Sequence, residues 1–94
     1  MAKEKKAARI VGTYKLLPEE PSIQPATIKE RVIAALPEDM KVTASGERPI
    51  AFGMVALVVD INFEEKDGLQ DHLESILEGI EGVGEIEALQ LFRL

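Results

Sequence analysis

A chain of 94 residues with 46% hydrophobic content, 17 acidic and 11 basic side chains and no cysteine has the composition of one small globular domain with a thin, mostly aliphatic core. The missing thiol excludes a disulfide framework, a thiolate nucleophile, an iron–sulfur cluster and a cysteine-based zinc site. The net charge of −6 hides an uneven distribution: Lys3, Lys5, Lys6 and Arg9 stand at the start, and without them and Glu4 the 7 basic and 16 acidic side chains that remain leave residues 10–94 at −9. A surface that acidic repels phosphate backbones, so no nucleic acid is expected on the folded part.

Residues 1–6 read as a flexible basic tail and residues 7–94 as a single domain. The longest apolar run, residues 54–59, is far below the roughly 20 residues a membrane helix needs, and the charged start lacks the apolar core of a signal peptide. A cytoplasmic protein that avoids membranes is expected.

Residues 7–17 are β-prone through Ile10, Val11, Thr13, Tyr14 and Leu16, and the stretch ends at Pro18-Glu19-Glu20-Pro21. Thr27-Ile28-Lys29-Glu30 matches a capping box, and Ile28, Val32, Ile33 and Leu36 follow at helical spacing before Pro37. Residues 41–47 form a modest second strand whose few apolar positions suit an edge, with its exit between Gly46 and Pro49. Over residues 54–63, Val55, Leu57, Val59, Ile61 and Phe63 alternate with smaller or polar residues, the pattern of a strand with one wholly apolar face under helices. Asp67-Gly68 opens a second helix with a stripe of Leu69, Leu73, Ile76, Leu77 and Ile80 that runs out into glycines. Residues 83–94 supply a last strand through Ile86, Leu89, Leu91 and Phe92.

The order β-α-β-β-α-β is that of a ferredoxin-like α+β sandwich, with two helices on one face of a four-stranded antiparallel sheet. Right-handed crossovers predict the strand order 4-1-3-2. The other face of the sheet is then open.

The sequence offers little for bond-making chemistry. His72 is the only histidine and falls at the margin of the second helix's apolar stripe, so it is assigned no role. The acidic pairs Glu19-Glu20, Glu38-Asp39, Glu64-Glu65 and Glu85/Glu87 read as hydrated surface, because nothing around them shifts a pKa toward catalysis. No phosphate-binding loop of the G-x-x-x-x-G-K-[ST] type occurs. An acylphosphatase-like enzyme needs an Arg-bearing loop where Pro18 to Pro21 stand, and an RNA-recognition sheet needs more central aromatics than Tyr14. Neither an enzyme nor a cofactor or metal site is expected; a protein partner is.

Two segments stand out. Arg48-Pro49-Ile50-Ala51-Phe52-Gly53 sets an aromatic ring between a proline and a glycine just before the strongest strand, and the chain ends on Leu91-Phe92-Arg93-Leu94. Taken alone, Phe52 reads as core and Arg93 as a surface charge.

With Leu17-Pro18-Glu19, Ala35-Leu36-Pro37-Glu38 and Ile80-Glu81-Gly82-Val83, these segments make residues 15–94 resemble the archaeal translation elongation factor 1-beta family and, more distantly, the exchange domain of its eukaryotic counterparts. The resemblance implies guanine-nucleotide exchange on the elongation factor 1-alpha GTPase; separately, a monomer is expected. The resemblance also implies a partner-binding set of Pro49, Ile50, Phe52, Gly53, Phe92, Arg93 and Leu94, with Phe52 as an apolar anchor. Eukaryotic members carry a penultimate lysine directed at the GTPase's magnesium site. Arg93 stands in that place, and its planar guanidinium either competes with the magnesium ion or pairs with a GTPase carboxylate. The alternative is a regulatory or small-molecule-binding domain of the same fold without exchange activity.

Overall fold

The computed structural model of the chain describes residues 8–94. The expected basic tail over residues 1–6, and Ala7 at the start of the first predicted strand, lie outside them. The elements run β1 (Arg9–Pro18), α1 (Pro25–Ala35), β2 (Lys41–Pro49), β3 (Val55–Glu64), α2 (Leu69–Glu78) and β4 (Val83–Arg93). All four strands pair antiparallel in one sheet of order β2-β3-β1-β4. This is the ferredoxin-like arrangement, and the order is the predicted one read from the other edge.

The period-2 pattern of the two central strands decides which face the helices cover. Tyr14 and Leu16 of β1 and Leu57, Val59, Ile61 and Phe63 of β3 point the same way and are buried. Ile28 and Val32 of α1 and Leu73 and Leu77 of α2 close over them. At roughly 1.5–3 kcal/mol for each large side chain removed from water, this single layer is the main source of stability. The opposite face is mixed, with Val11, Leu17, Val58 and Phe92 set among polar pairs. There Thr13 donates to the Asp60 carboxylate at 2.7 Å, Arg9 Nε donates to Asn62 at 2.8 Å, and Lys15 pairs with Glu87 at 3.2 Å. β2 is an edge as expected and is exposed except at Val42, which is partly buried.

Helix α1 corrects two expectations. It starts at Pro25, with Gln24 as a cap that makes no side-chain bond, so Thr27 lies inside the first turn and the capping box is not used. Proline at the first helical position has its φ already set and lacks an N–H that would have gone unpaired, so the helix starts three residues earlier than the capping box would place it. Ile33, predicted on the buried stripe, is 54% exposed. The covered stripe is the narrow i, i+4 row of Ile28, Val32 and Leu36, and Ile33 lies one step of about 100° around the helix from Val32.

Close packing over β1 needs a residue without a side chain at Gly12. A Cβ there would come within 2.9 Å of the Tyr14 ring and 3.0 Å of the Leu91 side chain. Gly12→Ala is expected to destabilise the fold by about 1–3 kcal/mol through forced displacement of those neighbours, read as a lower midpoint in urea unfolding with an unchanged slope.

Tyr14 is the one buried aromatic with a polar end. Its hydroxyl donates to Glu74 at 3.0 Å, and Gln70 donates to the same oxygen at 3.1 Å. Burial first, and then the bond and charge of Glu74, hold the phenol well above its ordinary value of 10.0. The folded state thus retains the phenol proton more tightly than the unfolded chain, so this contribution is complete below about pH 10 and fades as pH rises through the higher folded value. Tyr14→Phe is expected to cost about 1 kcal/mol at neutral pH, and the gap from wild type narrows above pH 10.0, as measured by urea unfolding across the alkaline range.

Candidate functional site

The segment between β2 and β3 is a tight turn. Ile50 N–H donates to Met54 C=O at 2.9 Å, and Met54 N–H returns to Ala51 C=O at 3.3 Å. Between them Phe52 and Gly53 both take positive φ, +64° and +74°. Two consecutive left-handed residues closed by an i to i+3 bond are the geometry that favours Asn-Gly or Gly-Gly, because an ordinary side chain there crowds the following carbonyl. Phe52 is the only residue other than glycine with positive φ among the described residues, and its side chain gains no burial in return, being 92% exposed. The reading of Phe52 as core is therefore wrong. The turn lifts the ring into solvent instead of tucking it under a helix. Pro49 closes the strand before the turn, Ile50 is half-buried, and Arg48 is exposed beside them.

The second predicted segment is the end of β4. Phe92 is 53% exposed and Leu94 71% exposed, while Leu94 N–H is pinned to Arg9 C=O at 2.9 Å. Arg93 does not stand free. Its Nε donates to Glu65 Oε1 at 2.8 Å and its Nη2 to Glu65 Oε2 at 2.5 Å. That fork pulls the Glu65 carboxyl below the usual carboxylate range and raises the Arg93 guanidinium further, in both cases chiefly through the hydrogen bonds. Glu65, expected as hydrated surface with Glu64, is instead the partner of Arg93.

The sheet does not bring the two segments together. Val55, which follows the Phe52 turn, opens β3, whereas Arg93 lies opposite Ile10 and Ile10 opposite Phe63 near the end of β3. Eight residues of strand separate the two levels, roughly 26 Å at about 3.3 Å per residue. One end of the molecule presents an aromatic ring and the other a clasped cation with apolar neighbours. His72 is exposed on α2, and among the described residues no group of three or more His, Asp or Glu side chains could hold a metal ion. Among the described residues no helix is long and apolar enough to cross a membrane.

The family model for the EF-1 guanine nucleotide exchange domain matches residues 11–94. The chain belongs to that family. Among its relatives, elongation factor 1-beta of Aeropyrum pernix is 40% identical over 93% of this chain and 98% of its own length. Elongation factor 1-beta of Methanothermobacter thermautotrophicus is 36% identical over 90% of this chain and 96% of its own length. Among solved structures, the C-terminal domain of the MgtC protein from Mycobacterium tuberculosis superimposes with a TM-score of 0.55 at 9% identity, covering 98% of this chain and 94% of that one. At that identity the likeness extends to the fold alone.

The backbone at Phe52 gives an exchange-domain test that needs no partner. Phe52→Gly relieves the left-handed strain and is expected to raise stability by about 1 kcal/mol. Phe52→Ala stays within about 0.5 kcal/mol of wild type, far from the 3–5 kcal/mol that a buried phenylalanine would cost. Both are read by urea unfolding.

Proposed function

We propose that the chain is a guanine-nucleotide exchange factor that promotes GDP release from elongation factor 1-alpha, so that GTP can rebind during protein synthesis. Membership of the exchange-domain family supports the activity. A solvent-exposed aromatic held on strained backbone is the observation that carries the site.

Such a GTPase grips GDP through backbone amides around the phosphates and a magnesium ion, which makes unaided release slow. A factor that binds the nucleotide-free form most tightly lowers nucleotide affinity, and nucleotide lowers the affinity of the factor by the same ratio. The chain makes and breaks no bond in this scheme. Excess GTP over GDP sets the direction.

Phe52 acts as the apolar anchor at one end, held out by the turn between Pro49, Ile50 and Gly53. Exposed aromatics of this kind are typical hot spots once a partner pocket desolvates them. Phe92 and Leu94 supply apolar contact at the other end, and Arg93 supplies the charge that reaches the nucleotide side of the GTPase. Because the ends lie roughly 26 Å apart, the factor touches its partner at two places. The reading takes the chain as a cytoplasmic monomer that works without nucleic acid or membrane.

The deciding experiment is stopped-flow release of fluorescent GDP from elongation factor 1-alpha at fixed magnesium. Release is expected to accelerate and saturate with wild-type protein. Phe52→Ala and removal of Arg93-Leu94 are each expected to reduce the effect about tenfold while leaving the fold intact by circular dichroism. No acceleration by wild type overturns the function; full activity in both variants overturns the site.

A further inference from the structure

We propose that Glu65 is a positioning residue for the exchange contact: it grips one edge of the Arg93 guanidinium and thereby presents the other edge to a carboxylate on the partner. This rests on the reading of Arg93 as part of the partner-binding end. Guanidinium has five N–H donors in a fixed plane. Glu65 takes the Nε–Nη2 edge with both its oxygens, whereas Nη1 makes no hydrogen bond among the described residues, and the Arg93 side chain is 69% exposed. The Nη1–Nη2 edge is therefore available, planar and spaced for a second two-oxygen acceptor.

Backbone bonds at and just before the start of β1 hold Glu65 and the residue after Arg93. Glu65 N–H donates to Ala8 C=O at 2.8 Å, and Leu94 N–H donates to Arg9 C=O at 2.9 Å. The guanidinium thus hangs from the residue paired with Ile10 and leans on a carboxylate whose backbone is tied to Ala8, just before that strand begins. Without Glu65, so exposed an arginine side chain would sample many rotamers, and binding would have to order it. The clasp does that ordering in advance. A carboxylate is the acceptor that fits. A guanidinium held on the nucleotide's phosphates would strengthen GDP binding and slow release, whereas one that engages a partner carboxylate adds nothing to GDP affinity.

Two measurements test this. In the GDP-release assay, Glu65→Ala is expected to raise the half-saturating concentration about two- to fivefold, the scale of an exposed ion pair, with little change in the maximal rate. Introduced into Arg93→Ala, the same substitution is expected to change nothing, and Glu65→Asp in the wild-type background is expected to recover part of the loss. An equal loss in both backgrounds, or none in wild type, overturns the proposal. The second measurement needs no GTPase. In NMR spectra of the isolated protein, the Arg93 Nε–H resonance is expected to stay protected from exchange at neutral pH and to lose protection in Glu65→Gln. Protection is also expected to vanish in wild type on acidification, with a midpoint below the ordinary carboxylate range. Because the folded-state carboxyl is depressed, the clasp is complete at higher pH and is lost as pH falls through that value. A freely exchanging Arg93 in wild type overturns the clasp even if GDP release is fast. A protected Arg93 with no stimulated release upholds the clasp and removes the exchange function instead.

Discussion

Everything in this fold is referred to β1. It is bonded along its length to β3 on one side and to β4 on the other, so its register sets the level of every residue in the two neighbours. Its alternating side chains divide the molecule into a dry face, with Tyr14 and Leu16, and a wet face, with Thr13 and Lys15. Gly12 lets the Tyr14 ring and Leu91 close over the same point of the strand. The ends of β1 also fix the chain around them. Ala8 and Arg9 hold Glu65 and Leu94, and beyond Pro18 the Glu19 N–H holds Gly82 C=O at 2.9 Å, which sets the start of β4. The position of the Arg93 guanidinium is thus a consequence of β1 pairing, not of local preference at the chain end.

The sequence made the scaffold readable because burial follows periodicity. The alternation from Val55 to Phe63 and the stripe of Leu69, Leu73 and Leu77 each allow one orientation only, and two such patterns with two weaker strands leave few topologies. What it hid were features that periodicity does not encode. Thr27-Ile28-Lys29-Glu30 carries the letters of a capping box, yet Pro25 two residues earlier sets the helix start through its own ring. Ile33 is apolar and adjacent to a buried position, but a helix covered by a single sheet face buries a narrow row.

The candidate site was named from resemblance and only partly from physics. An aromatic between proline and glycine reads as core on hydrophobicity alone, because nothing in the letters reports that the turn needs left-handed backbone at Phe52. The coordinates supply both halves of the contradiction, a strained φ and an exposed ring, and strain kept at an exposed residue points to selection for contact and against selection for stability. Glu65 was illegible for another reason. It lies 28 residues from Arg93 in sequence, and the two meet only because Arg93 and Phe63 are both aligned with Ile10. Contacts that are products of register carry no local signal.

With the proposed contacts at both ends of one sheet, the fold constrains how exchange can work. One continuously paired sheet joins the Phe52 turn to the Arg93 clasp, so on the proposed site the factor offers its partner two contacts at a spacing set by the strands. Once one end has docked, the other is held near its target at high effective concentration, but only when the partner presents both acceptors at that spacing. A GTPase conformation that closes around GDP and one that has released it need to differ in this separation for the factor to distinguish them, since a ligand shifts an equilibrium only by its differential affinity. On this argument the length of β3 is a functional dimension. On the proposed site, the left-handed turn at one end and the clasp at the other serve the same purpose, because each fixes a contacting group on the sheet before the partner arrives.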